Sequence, residues 1–278
     1  MKTIIALLLL IGFASSSLNT SAQISNVEHF YVSSPDAKKL YNFFKDEFQL
    51  PVVWSYNDWG NWASGGLMLG NTPLEFLRFS KDTSTKTFFA GIALEPTVRV
   101  NTLMSLYDSL HIHYGNKYVD TFIDDGVKDT GFINLKINEA LPDNIYFFTC
   151  DYKYRGEMDT MEIKASDSLK AIRGGPLGII TLKEIVVGSN DVSAYSKELS
   201  KLLGVKQHNN IFSFSKGPSI ELIQTADTGI KKIIVQIYSV KQAKQFLQQI
   251  NLLGTQTRNS VMLKLDAING LEVELTDK

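Results

Sequence analysis

The sequence holds one cysteine in 278 residues, Cys150, so no intrachain disulfide can form in any redox compartment. Cys150 closes an apolar, strand-like run from Ile145, which predicts a buried and inert thiol; a nucleophile there would need a neighbour that stabilises the thiolate. Basic excess is also missing. The net charge is -1, which argues against electrostatic capture of nucleic acid or anionic lipid. Past the first 22 residues, no segment carries the ~18 consecutive apolar residues that a membrane-spanning helix needs. Arg173-Gly174-Gly175-Pro176 lacks the spacing of either glycine-rich phosphate loop, so a linker is favoured there. No G-x-S-x-G elbow occurs, and the four histidines show no pairing with a serine and an aspartate. His111 and His113 end a helical stripe two residues apart, on different faces, and so do not suggest a shared metal.

What is present begins with an export signal. Lys2 precedes an apolar run from Ile4 to Phe13, and Thr20-Ser21-Ala22 puts small residues where a signal peptidase cuts. Residues 1–22 are therefore predicted to be a signal peptide, with Gln23 opening a periplasmic or secreted chain. A buried N-terminal helix is the competing reading. No cysteine follows the cut to carry a lipid. About 255 residues remain, enough for two ordinary domains, and the 44% hydrophobic content is that of a globular protein.

Four segments then repeat one order of elements, a strand, a helix and three short strands. They predict modules at 24–80, 86–152, 178–225 and 230–278. The first two would make an N-terminal domain, 24–152, and the last two a C-terminal domain, 178–278. The charged stretch 153–177 is read as a linker. Spacing supports the repeat: seven residues separate His29 from Asp36 and Glu184 from Asp191, with a helix starting at each aspartate. Pro73-Leu74-Glu75-Phe76-Leu77 matches Ser219-Ile220-Glu221-Leu222-Ile223, and Asn269-Gly270-Leu271-Glu272-Val273 matches both.

A His-bearing strand, a Pro-Asp helix start and a closing Gly70-Asn71 hairpin with Leu74-Glu75-Phe76-Leu77 resemble the vicinal oxygen chelate, or glyoxalase-like, superfamily. The resemblance covers nearly all of the chain after residue 22. It implies an α+β fold of paired βαβββ modules, each pair forming a half-open cup of mixed sheet. It also implies a divalent metal in the cup (Zn, Ni, Fe, Mn or Co), held by the first and last strands of each module. The implied activity is that of a lyase, isomerase or dioxygenase on a small oxygenated substrate. A binding protein on the same fold, without metal or turnover, is the alternative, and the resemblance leaves room for a homodimer.

Carried over residue by residue, the resemblance places metal ligands at His29 and Glu75 in the first module, with Glu75 also the catalytic residue. The second module offers Gly91 and, in the last strand, Tyr146. An alternative cup in the C-terminal domain would use Glu184, Glu221, Gln236 and Glu272. Clustered carboxylates without a cation would raise one another's pKa, so either a metal fills that cup or the side chains do not converge. On a sheet with one wet face the same glutamates are simply solvent-facing. Trp54, Tyr56, Trp59 and Trp62 crowd one hairpin and could wall an apolar pocket or pair across strands. Trp54, Tyr56 and Trp62 are the expected substrate contacts, with Arg78 as a carboxylate anchor or a surface residue.

Overall fold

The computed structural model describes residues 23–81, 84–124, 126–137, 145–205 and 207–278; the predicted signal peptide, residues 1–22, lies outside them. The first module is β1 (Ile24–Ser33), α1 (Ala37–Glu47), β2 (Val52–Asp58), β3 (Trp62–Leu69) and β4 (Thr72–Phe79). The second is β5 (Phe88–Pro96), α2 (Val100–Ser109), β6 (Lys117–Asp124), β7 (Val127–Lys136) and β8 (Tyr146–Tyr152). A helix, α3 (Arg155–Ala171), leads to β9 (Ile179–Ser189), α4 (Val192–Leu203), β10 (Gln207–His208), β11 (Ile211–Phe212) and β12 (Ser219–Gln224). The fourth module is β13 (Gly229–Ile237), α5 (Val240–Gln249), β14 (Leu253–Gln256), β15 (Ser260–Leu263) and β16 (Val273–Thr276). The α+β class and the paired βαβββ modules therefore stand.

Two eight-stranded sheets result, in the orders β2-β3-β4-β1-β5-β8-β7-β6 and β10-β11-β12-β9-β13-β16-β15-β14. Within each module the first and last strands pair in parallel, and the first strands of paired modules meet antiparallel at the sheet centre. Strand alternation sorts the side chains. Phe30, Val32, Leu74, Phe76, Ile92, Leu94 and Phe147 join Leu40, Tyr41 and Phe44 of α1 and Leu103 and Tyr107 of α2 in one core. Each such large apolar side chain contributes about 1.5–3 kcal/mol on burial. The same core runs on into the C-terminal domain, and Tyr107 donates to the Leu202 carbonyl across the junction at 2.8 Å. Residues of the opposite parity, His29, Tyr31, Glu75, Leu77, Gly91, Ala93, Phe148 and Cys150, face the other way, as the expected cup requires.

The stretch read as a linker is mostly helix. Between residues 155 and 171, α3 lies on the cup face of the first sheet, where Ala165 packs with Val53, Met68 and Trp54. The glycine-rich end is a turn that returns the chain to β9. Gly174 has φ +77, and a Cβ there would fall 2.1 Å from the Ile179 nitrogen, so the glycine is a steric need and not a phosphate cradle. Among the described residues, no helix is long and apolar enough to cross a membrane.

Candidate functional site

The site starts from an irregularity in β1. Val27 pairs with Leu94 and His29 with Ala93, so Glu28 is an extra residue, a bulge, next to the sheet's centre line. The bulge lets Glu28 and His29 meet: a Glu28 carboxylate oxygen contacts His29 Nδ1, and the Glu28 side chain is fully buried. His29 Nε2 lies 3.4 Å from a Glu75 oxygen on the neighbouring β4. Ser64 Oγ donates to the other Glu75 oxygen and accepts from Trp54 Nε1 at 3.1 Å. Trp54 and Phe148 set their rings edgewise to the imidazole, with centroids 5.9 and 5.7 Å away.

Burial alone would strip the proton from His29, but Glu28 and then Glu75 outweigh it, and its pKa rises to about 10. His29 is thus an imidazolium with a carboxylate on each nitrogen. Burial likewise opposes charge on Glu28, yet His29 and Arg155 hold its pKa below the ordinary carboxylate value. Arg155, from the start of α3, reaches Glu28 at 3.5 Å, Glu95 at 3.3 Å and Asp159 at 2.8 Å. Glu162, one of the acids around Arg155, has its pKa pushed up to about 8 by burial and by Glu28. Glu28, Arg155, Glu162 and Ser64 were not legible as site residues: two sit in the stretch read as a linker, and a bulge leaves no mark in a strand pattern.

Three further bulges complete the frame. Ala90, Lys183 and Lys231 are the extra residues of β5, β9 and β13, as Glu28 is of β1. The residue after each bulge occupies the first-strand slot: His29, Gly91, Glu184 and Lys232. Its last-strand neighbour pairs two residues further on, which gives Glu75, Phe148, Glu221 and Glu274. The structure places His29, Glu75, Gly91, Glu184 and Glu221 at these strand positions, as the sequence reading had them. Three other residues lie elsewhere. Phe148 replaces Tyr146, Lys232 replaces Gln236 and Glu274 replaces Glu272. Gln236 pairs with Thr181 and Thr276, four residues along β13 from the slot, and Glu272 is exposed ahead of β16.

The slots test a metal on the chemistry of their donors. The N-terminal cup has two donors, His29 and Glu75, and its other two slots are Gly91 and Phe148. A Cβ at Gly91 would lie 2.2 Å from the Tyr31 ring, which fills the space a third ligand would need. A catalytic centre commonly has three protein ligands. Among the described residues no three of His, Cys, Asp and Glu converge to hold a metal. In the C-terminal cup, Lys232 occupies a ligand slot and its ammonium meets Glu274 at 2.6 Å. The Lys232 partnership lowers the Glu274 pKa against the effect of burial, whereas Glu184 is raised by burial and by Glu221 beside it. Neither donor set fits a three-ligand divalent centre.

Of the expected substrate contacts, Trp54 and Trp62 lie on the cup face, Trp62 packed against the cluster that holds Tyr31, Leu77 and Phe148 and stacked on Trp59 at 4.3 Å. Tyr56 and Arg78 do not. Tyr56 packs on Tyr41 of α1, and Arg78 pairs with Asp58 at 2.7 Å on that same helical side, one residue out of phase with Leu77. Cys150 is buried, and burial, ahead of the Glu28 charge, raises its pKa well above the usual thiol value, so it is inert as expected.

No family model and no curated protein matches the chain. Solved structures do. A hypothetical protein from Staphylococcus aureus is 11% identical, with TM-score 0.60, covering 91% of this chain and 98% of that one. The Mn(II)-bound glyoxalase from Novosphingobium aromaticivorans is 12% identical, with TM-score 0.55, covering 92% and 83%. Homoprotocatechuate 2,3-dioxygenase from Brevibacterium fuscum, in complex with 3,4-dihydroxyphenylacetate, is 13% identical, with TM-score 0.56, covering 93% and 82%. The chain has the vicinal oxygen chelate fold of extradiol dioxygenases and glyoxalases.

Proposed function

We propose that this chain is an exported binding protein for a small hydroxylated ring, using the N-terminal cup of a glyoxalase-like fold without a metal. The observation that carries the reading is His29, set between the Glu28 and Glu75 carboxylates while the Tyr31 ring stands where a third ligand would be. Covered by α3 on one side, the cup keeps a half-exposed aromatic rim of Trp62, Phe132 and Tyr152 on the other. A ring would lie against that rim, and its hydroxyl would donate to Glu75, whose charge His29 balances. Export rests on the N-terminal sequence; Gln23, the first residue after the predicted cut, is already buried and donates to the Leu203 carbonyl at 3.2 Å.

A second reading, a metal-dependent lyase, isomerase or dioxygenase with His29 and Glu75 as ligands, has one observation in its favour. Glu28 on Nδ1 aims Nε2 at Glu75, as carboxylates orient metal-bound histidines elsewhere. One experiment separates the two. The chain is purified without chelators, its metal content is measured before and after incubation with Mn, Fe, Zn, Ni and Co, and tryptophan emission is followed during titration with dihydroxylated aromatic acids. Saturable quenching without stoichiometric metal, lost in Glu75→Ala and kept in Glu221→Ala, is expected. One metal per chain, lost in Glu75→Ala, would install the second reading.

A further inference from the structure

The two sheets present four edges, β2, β6, β10 and β14. Two are short, β10 at two residues and β14 at four, and β2 runs out in the polar residues Ser55, Asn57 and Asp58. The fourth, β6, is eight residues long and, among the described residues, bonded to β7 alone. Its hairpin is rich in exposed apolar side chains, with Val119 at 41% exposure and Ile123 at 76% on one face, and Tyr118, Phe122 and Val127, the last at 67%, on the other. A long apolar edge with unspent main-chain donors and acceptors is a template for another strand, and proteins that stay monomeric blunt it. The matching hairpin of the C-terminal domain, β14–β15, is about half as long, so the fold itself does not demand the extension.

We propose that the protein is a two-fold symmetric dimer in which β6 pairs antiparallel with β6 of a second copy, joining the two N-terminal sheets edge to edge. The sequence of β6 favours its own copy and selects a register. A two-fold axis perpendicular to the sheet keeps each residue on its own face, so a residue can oppose only one of equal parity. Centring the pair on Asp120 sets two aspartates directly opposite, which is unfavourable. Centring it on Thr121 sets Thr121 against itself and Val119 against Ile123 of the second copy. That register forms an unbroken β-branched stripe across the junction and brings each Asp120 against Phe122 in place of a like charge. The dimer is independent of the ligand and metal readings above.

Two measurements test it. Sedimentation equilibrium of the purified chain at micromolar concentration should return twice the monomer mass, and Val119→Lys/Ile123→Lys should return the monomer with unchanged circular dichroism. The second tests the register. Directly opposed residues have Cα atoms about 4.5–5.5 Å apart, within disulfide range. Thr121→Cys should therefore cross-link into a dimer under mild oxidation. Ile123→Cys, about 13 Å from its own copy, should not. Cys150, the only native cysteine, is buried and will not interfere. A monomer at every concentration, a dimer that survives the lysines, or equal cross-linking of the two cysteines would overturn the proposal. So would a monomeric chain whose hairpin binds vesicles or a different protein.

Discussion

His29→Gln is the sharpest probe of the buried charge cluster. The substitution keeps a polar side chain but removes the cation between Glu28 and Glu75. Glu28 then stays buried with the Arg155 contact at 3.5 Å and a hydrogen bond from the Glu162 carboxyl. Breaking one side of a buried pair commonly costs about 3–5 kcal/mol. Linkage gives a similar figure. A pKa of about 10 in the folded chain against 6.5 in the unfolded one corresponds to about 5 kcal/mol of stability. The sign follows from the raised value. That stability is fully present below pH 6.5 and is lost as pH rises through about 10. Urea unfolding at intervals from pH 5.5 to 10.5 should therefore show a wild type that weakens across this window and a variant that is weak throughout, with the gap closing at the alkaline end. Glu28→Gln combined with His29→Gln should recover much of the loss, because neither partner is then left charged and buried. A loss below about 1 kcal/mol at pH 6, or a His29 resonance titrating near 6.5, would refute the charge assignment and reopen Nε2 as a metal ligand.

Three other outcomes follow from the same geometry. Gly91→Ala forces a methyl to within 2.2 Å of the Tyr31 ring and 2.6 Å of the Tyr146 carbonyl oxygen, so a loss of about 1–3 kcal/mol in urea unfolding is expected. Glu162→Gln should leave the melting temperature unchanged below pH 4.5 and raise it above pH 8, because a buried acid with a raised pKa subtracts stability progressively between those values. Glu184→Gln should raise the melting temperature at pH 8 and leave it unchanged at pH 3, since Glu184 is opposed both by burial and by the charge of Glu221.

The four modules were legible because each carries a period-two strand, a 3.6-period helix and turn residues in the same order, and those patterns report burial directly. Helix α3 was not, because burial does not create its pattern. Only Ala165 and Leu169 of its 17 residues are buried, and Arg155 adds ion pairs to Glu28 and Glu95 of the sheet. A helix with two buried residues reads as a charged linker. The first and third modules aligned well enough to place His29, Glu75, Glu184 and Glu221 in register. The second and fourth failed at Phe148, Lys232 and Glu274, which lie two, four and two residues along their strands from Tyr146, Gln236 and Glu272: period-two alternation fixes the face of a strand but not the position along it. Tyr56 and Arg78 were misplaced through aromatic crowding. Composition brings them beside Trp54 and Trp62, but the register shift between Trp54 and Asn57 turns Tyr56 to the helical face, and Arg78, one residue on from Leu77, is sent there by strand parity.

The bulges also bear on what the fold retains. Each of the four first strands has one, at the same distance from its metal-slot position, including the strands whose slot holds glycine or lysine. A bulge breaks ladder hydrogen bonds and is kept where it aims a side chain. At β1 it aims His29 and adds Glu28 as a second carboxylate. At β5 the slot it aims is Gly91, where the empty Cβ position admits the Tyr31 ring. At β13 it aims Lys232, whose ammonium brings to Glu274 the positive charge that a cation would supply. In both domains, then, the bulged strands recur while a basic side chain of the protein itself faces a carboxylate, His29 beside Glu75 in one cup and Lys232 beside Glu274 in the other. Positive charge built into the chain neutralises the carboxylates but offers no open coordination position, and Lewis-acid chemistry needs that position. Binding without turnover is what the proposed reading assigns to such cups, and the metal content of the purified chain decides between the two readings.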